Sequence, residues 1–202
     1  MRCCTRRSRT PGGALLWLLA AFVALTALAT EVSLYNAQLV ANEDGYTLSA
    51  DANINFNTRL EEAVNKGVVL YFTADFELTR PRWYWLDETV VRRSRTLQLS
   101  SHALMTRQYR LSTGALYQNY TTLDEALRAI SRLRNWQVIE KGEVKPGQMY
   151  VAALRLQLDL SQMPKTFQVG ALANKDWVLT SDWQRWSFTP AEVGAGGNGD
   201  GK

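Results

Sequence analysis

Cysteine is all but missing from this chain: both copies, Cys3 and Cys4, stand at its very start, and no thiol follows them. Thiol nucleophiles, disulfide redox chemistry and cysteine-based metal sites are therefore excluded from everything beyond that head, whose stability must come from packing. Histidine is scarcer still, with His102 alone, so neither a histidine zinc site nor a histidine pair can form. No acidic run has calcium-loop spacing, and no glycine-rich loop carries the lysine of a phosphate cradle. No metal and no cofactor are expected, and no internal repeat is present.

A surplus of one charge is missing too, once position is considered. The formal charge of +4 suggests a nucleic-acid partner, but Arg2, Arg6, Arg7 and Arg9 all lie in the first nine residues. They precede ALLWLLAAFVALTALA, residues 14–29, an apolar run that closes on the small residues Ala27-Leu28-Ala29. A basic head, an apolar stretch and small residues make the layout of a secretory signal peptide. The run is short for a transmembrane helix, which needs roughly 17–25 apolar residues. Cleavage after Ala29 into the periplasm is expected; the alternative is an uncleaved inner-membrane anchor, held by its cytoplasmic arginines. The pair Arg6-Arg7 lacks the rest of a twin-arginine consensus, and no cysteine follows the run as a lipoprotein would require. Taking four arginines from 23 basic residues leaves 19, against 19 acidic residues that all lie beyond position 30. A neutral domain has no surplus cation to neutralise phosphates, so no nucleic acid is expected.

What remains is rich in alternating apolar residues. Tyr46, Leu48, Ala50, Ala52, Ile54 and Phe56 share one face of YTLSADANINF, and Val68, Leu70, Phe72, Ala74, Phe76 and Leu78 share one face of VVLYFTADFELT. Tyr150, Ala152, Leu154, Leu156, Leu158 and Leu160 repeat the period of two, which marks half-buried antiparallel strands. Weaker strands are expected over 32–40, 96–100, 107–112, 115–120, 136–139 and 183–188, with turns at Asp44-Gly45, Thr113-Gly114, Lys141-Gly142 and Pro146-Gly147. Two helices interrupt them. Thr58-Arg59-Leu60-Glu61 and Thr122-Leu123-Asp124-Glu125 have capping-box spacing; the first helix should stop at Gly67 and the second run to about Arg134. The fold class is mainly β: an antiparallel β-sandwich of immunoglobulin-like layering with two short connecting helices. The organisation is 1–29 signal peptide or N-terminal anchor, 30–190 a single β-rich envelope domain, and 191–202 a disordered glycine-rich tail.

Candidate chemistry is sparse. His102 follows Ser100 and Ser101, but neighbours on a strand face opposite ways, and no nucleophile elbow accompanies them. Trp83 and Trp85, two apart in RPRWYWLDETVVRRSR, would share a strand face as a stacking platform for sugars or a partner, or else pack in the core. Alternation places Arg107 and Tyr109 on one face and Arg110 on the other; these offer a surface for an acidic group, or ordinary cross-strand pairs. Arginines of 80–95 should meet Asp75, Glu77, Asp87 or Glu88 across neighbouring strands of a hairpin at the sandwich edge. The tentative binding set is Trp83, Trp85, Arg107, Tyr109 and Arg110, and no catalytic residue is assigned.

Three stretches, RPRWYWLDE with ALMTRQYRLSTG, then TLDEALRAISRLRNWQV, then LRLQLDLSQMPKTFQVGALANKDWVLTSDWQRWSF, resemble a family of bacterial exported proteins catalogued as a domain of unknown function. Some members carry the label proline-rich signal peptide protein, which suits a chain of five prolines poorly. The resemblance spans most of 32–188 and implies an envelope protein of Gram-negative-type bacteria, encoded near a membrane sensor kinase. The expected function is a non-enzymatic periplasmic binding or interaction module whose partner is an envelope or membrane protein, such as that kinase. The alternatives are an envelope hydrolase of glycans or peptides, with His102 or a carboxylate pair as its acid-base group, and a carbohydrate-binding module.

Overall fold

The period-two segments become strands in a computed structural model that describes residues 32–84, 86–101, 108–165, 167–168 and 175–191. In chain order these are β1 (Val32–Asn42), β2 (Gly45–Ile54), α1 (Thr58–Asn65), β3 (Leu70–Arg80), β4 (Glu88–Ser101), β5 (Tyr109–Thr113), β6 (Leu116–Tyr120), α2 (Leu123–Ile130), β7 (Arg132–Glu140), β8 (Tyr150–Leu158) and β9 (Gln184–Phe188). They form two antiparallel sheets, one of order β1-β2-β7 and one of order β6-β5-β4-β3-β8-β9. This is the two-sheet layering expected from the sequence, in an open form. The segment 1–29, His102, Arg107, Trp85 and the tail 192–202 lie outside the described residues.

Alternation assigns the inner faces correctly. Leu48, Ala50 and Ala52 of β2, Leu70, Phe72, Ala74, Phe76 and Leu78 of β3, and Tyr150, Ala152, Leu154, Leu156 and Leu158 of β8 are all buried in one core cluster. The sheets are stitched where Val32 bridges Ser181, while Thr180 bridges Gln157 at the end of β8. The outer face of the larger sheet is tied by polar cross-strand bonds. Asp75 accepts from Ser94 at 3.1 Å, Arg155 at 3.0 Å and Gln157 at 3.0 Å, linking β4, β3 and β8.

Local expectations are corrected at several points. The N-cap of α1 is Asn57, whose side chain accepts from the Leu60 N–H at 3.0 Å; Thr58 is already helical and forms no box with Glu61. The second capping box forms as read, with Thr122 and Glu125 satisfying each other's backbone donors. Helix α2 then ends at Ile130 rather than near Arg134, because Leu133 and Trp136 are drawn into the core by pairing of β7 with β2. Pairing also lengthens β7 well beyond the four residues of WQVI. The hairpin of β3 and β4 is the centre of its sheet, not an edge. Strand β3 stops at Arg80, since Pro81 cannot donate to the ladder, so residues 81–84 and 86–87 lie between strands, where alternation does not apply. Trp183 and Trp186 are both partly buried; Trp183 precedes β9 and lies under the Arg155 guanidinium at 4.6 Å.

Candidate functional site

Register on β4 decides where its arginines go. Val91, Arg93, Arg95, Leu97 and Leu99 have one parity, and their partners across β3 are Leu78, Phe76, Ala74, Phe72 and Leu70, all buried. Two arginines therefore ride on the apolar face of the central hairpin. Arg93 reaches Glu143 at 2.7 Å and Glu140 at 3.7 Å, just past the end of β7. Arg95, opposite small Ala74, lies over the Trp136 ring of β7 at 5.3 Å to the centroid. Among the described residues no carboxylate lies within salt-bridge distance of Arg95, and desolvation alone pushes its pKa below the ordinary arginine value. It stays charged all the same.

Arg95 stands at the inner end of a groove of about 490 Å³ along the open seam of the sandwich. One wall comes from β4, β5 and β6, with Leu97, Leu111 and Leu116; the other comes from α2 and β7, with Arg132, Leu133 and Arg134. Among the described residues three arginines line it and no carboxylate does. Arg134 is engaged, donating to the Ala50 carbonyl at 2.6 Å and to Asp51. That Arg134 hydrogen bond holds the Asp51 carboxyl below the usual carboxylate range. Arg132 sits opposite Asp51 in the ladder without a direct bond to it. The charge of Arg132 also acts on Asp51, so the cation of the groove with no carboxylate beside it among the described residues is Arg95, set between apolar walls and the ring of Tyr120.

Of the residues singled out from the sequence, those described place Trp83 far from Tyr109 and Arg110. Trp83 is 94% exposed in the connection between β3 and β4, and its ring meets Tyr84 edge-on at 74°, which is not a flat stacking platform. Arg80 and Arg82 both donate to Glu88 at the root of that connection and hold its carboxyl below the usual range, which leaves Glu88 unsuited to act as a proton donor. Arg110 lies at the other end of β4, opposite Ser100, about 40 Å of strand from Glu88 at the usual rise per residue. It points outward, stacked over Tyr117 at 4.8 Å and bonded to Asn119 at 3.3 Å. Tyr109 is partly buried and donates its hydroxyl to Asn65 at 2.7 Å. Arg95, Arg132 and Leu116 were missed by the sequence reading, although the parity of Arg95 with Val91, Leu97 and Leu99 was a signal in plain view.

No curated protein and no solved structure matches this chain. One family model does match, described as Domain of unknown function (DUF4390) and covering residues 29–187. That is most of the chain, and the protein belongs to this family.

Proposed function

We propose that the protein is a non-enzymatic binding module of the bacterial cell envelope, exported by its N-terminal segment, and that the seam groove is where it takes an anionic partner. Arg95 carries this reading. A cation held against an apolar face, with an aromatic ring on one side and no counter-ion among the described residues, gains most from a carboxylate or phosphate brought in from outside. The basic head and the apolar run 14–29 support export, with cleavage after Ala29 or retention as an anchor. A membrane sensor kinase is one partner consistent with that placement.

Partner capture with the tagged mature domain tests the reading. Envelope proteins or glycans should be retained by the wild type and lost from an Arg95→Gln/Arg132→Gln double variant that keeps the wild-type thermal transition. Retention unchanged in that variant, or no retention by either, would remove the groove from the function.

A further inference from the structure

The groove has a second property that narrows its occupant. Among the described residues strand β6 ends its sheet and pairs only with β5, and it is exposed over most of its length, with Leu116 at 79% and Tyr117 at 62%. The loop before it has two residues, Gly114 with φ of 59° and Ala115, so Thr113 and Leu116 are the hydrogen-bonded pair that closes the hairpin. In an antiparallel ladder the residues then alternate, and Tyr117 and Asn119 turn their N–H and C=O away from β5. Strand β7 likewise ends the facing sheet. The open seam is thus bordered by unpaired backbone on a rim of arginines.

We infer that this seam accepts an extended acidic segment of a partner protein, which adds as a strand to the free edge of β6, a proposal that rests on the binding reading above. Backbone bonds to Tyr117 and Asn119 would supply register, and alternate side chains would point inward. Those inward positions meet Leu111, Leu116 and Leu133, which ask for apolar residues, and Arg95, which asks for a carboxylate. Arg110, outward beside Tyr117, favours a further acid on the other face. The chain's own terminal segments do not have this composition: residues 1–29 contain no acid, and residues 192–202 contain no large apolar residue. A second copy docking edge to edge would set the arginines of one groove against those of the other, which like-charge repulsion opposes.

The test uses blocked peptides of about six residues, enough to span β6 at about 3.4 Å per residue. In them valine alternates with glutamate, serine or lysine, and binding to the mature domain is read by fluorescence anisotropy. The glutamate series should bind at least about tenfold more tightly than the lysine series, and Arg95→Gln should weaken it by about tenfold or more, the usual loss of a charged hydrogen bond. Methylating alternate backbone nitrogens of the peptide should abolish binding, because it removes the ladder and keeps the charges. Hydrogen exchange should slow within residues 116–120 when the glutamate peptide is present. If the methylated peptide binds equally well, or protection appears elsewhere, strand addition is wrong while the anionic groove stands. If no peptide binds but partner capture still depends on Arg95 and Arg132, the occupant is not a strand. If neither depends on them, the binding reading falls as well.

Discussion

At the scale of single residues the structure is strict where backbones approach. Gly45 begins β2 with φ of 133°, and a Cβ there would stand 2.2 Å from the Ile139 carbonyl oxygen of the neighbouring strand. The obstacle is backbone, which cannot swing aside as a side chain would. Gly45→Ala should therefore lower stability by about 2 kcal/mol or more, combining a left-handed conformation with a forced shift of β7, as denaturant melts would show. A milder dependence arises from Glu88, whose carboxyl is held down first by the Arg82 hydrogen bond and then by that of Arg80. A carboxyl with a depressed folded pKa stabilises the fold above its unfolded value, ordinarily 4.5, and that stabilisation fades as pH falls through the lower folded value. Glu88→Gln should flatten the acid limb of a stability-against-pH curve and change little near neutrality beyond the lost ion pairs. An unaltered acid limb would show that the two arginines do not hold Glu88 in solution. The same direction applies to Asp51 under Arg134.

Elements are governed by caps and parity. Thr122→Ala should destabilise by about 1 kcal/mol, because the hydroxyl accepts from Glu125 N–H at 3.2 Å at the start of α2. For α1 the contrast is sharper: Asn57→Ala should cost about 1–2 kcal/mol, whereas Thr58→Ala should stay within about 0.5 kcal/mol. Asn57 also donates to the Asp176 carbonyl at 2.6 Å, so its loss loosens a tertiary tie as well as a cap. Reversed sizes for that pair of variants, measured by chemical denaturation, would restore the box spacing of Thr58 and Glu61. The strand faces of β2, β3 and β8 were legible in the sequence because a period of two records which side meets the core. The length of α2 was not, since SRLRNW is compatible with helix until β2 offers Leu133 and Trp136 a ladder. The same limit hid the site. Which strands are central, and which arginines oppose an alanine rather than a carboxylate, is set by long-range register that local pattern does not contain. Arg92 meets Glu77 at 2.8 Å as cross-strand pairing suggests, whereas Arg95, three residues on, meets Trp136 from the other sheet.

For the molecule as a whole, an open sandwich must keep its free edges from pairing with copies of itself. Strand β6 has little of the usual protection: no proline interrupts it, and Leu116 and Tyr117 are exposed. Charge is the device that remains. A two-fold association through β6 would be isologous, so Arg95, Arg110 and Arg132 of one copy would approach the same residues of the other. At low ionic strength this repulsion reaches across the interface, with a screening length of about 10 Å at 0.1 M salt; at 1 M it shrinks to about 3 Å, leaving edge pairing and apolar contact unopposed. Sedimentation of residues 30–202 should therefore show a monomer at low salt and a growing dimer fraction as salt rises. Leu116→Lys, which adds charge to the edge and removes an exposed apolar side chain, should keep the protein monomeric throughout without shifting its thermal transition. Arg110→Gln should act oppositely and bring dimers in at lower salt. A dimer that is strongest in low salt and dissolves on adding more would mean that opposite charges join the copies, and the arginine rim would then be a self-recognition surface instead of a guard for an acidic guest.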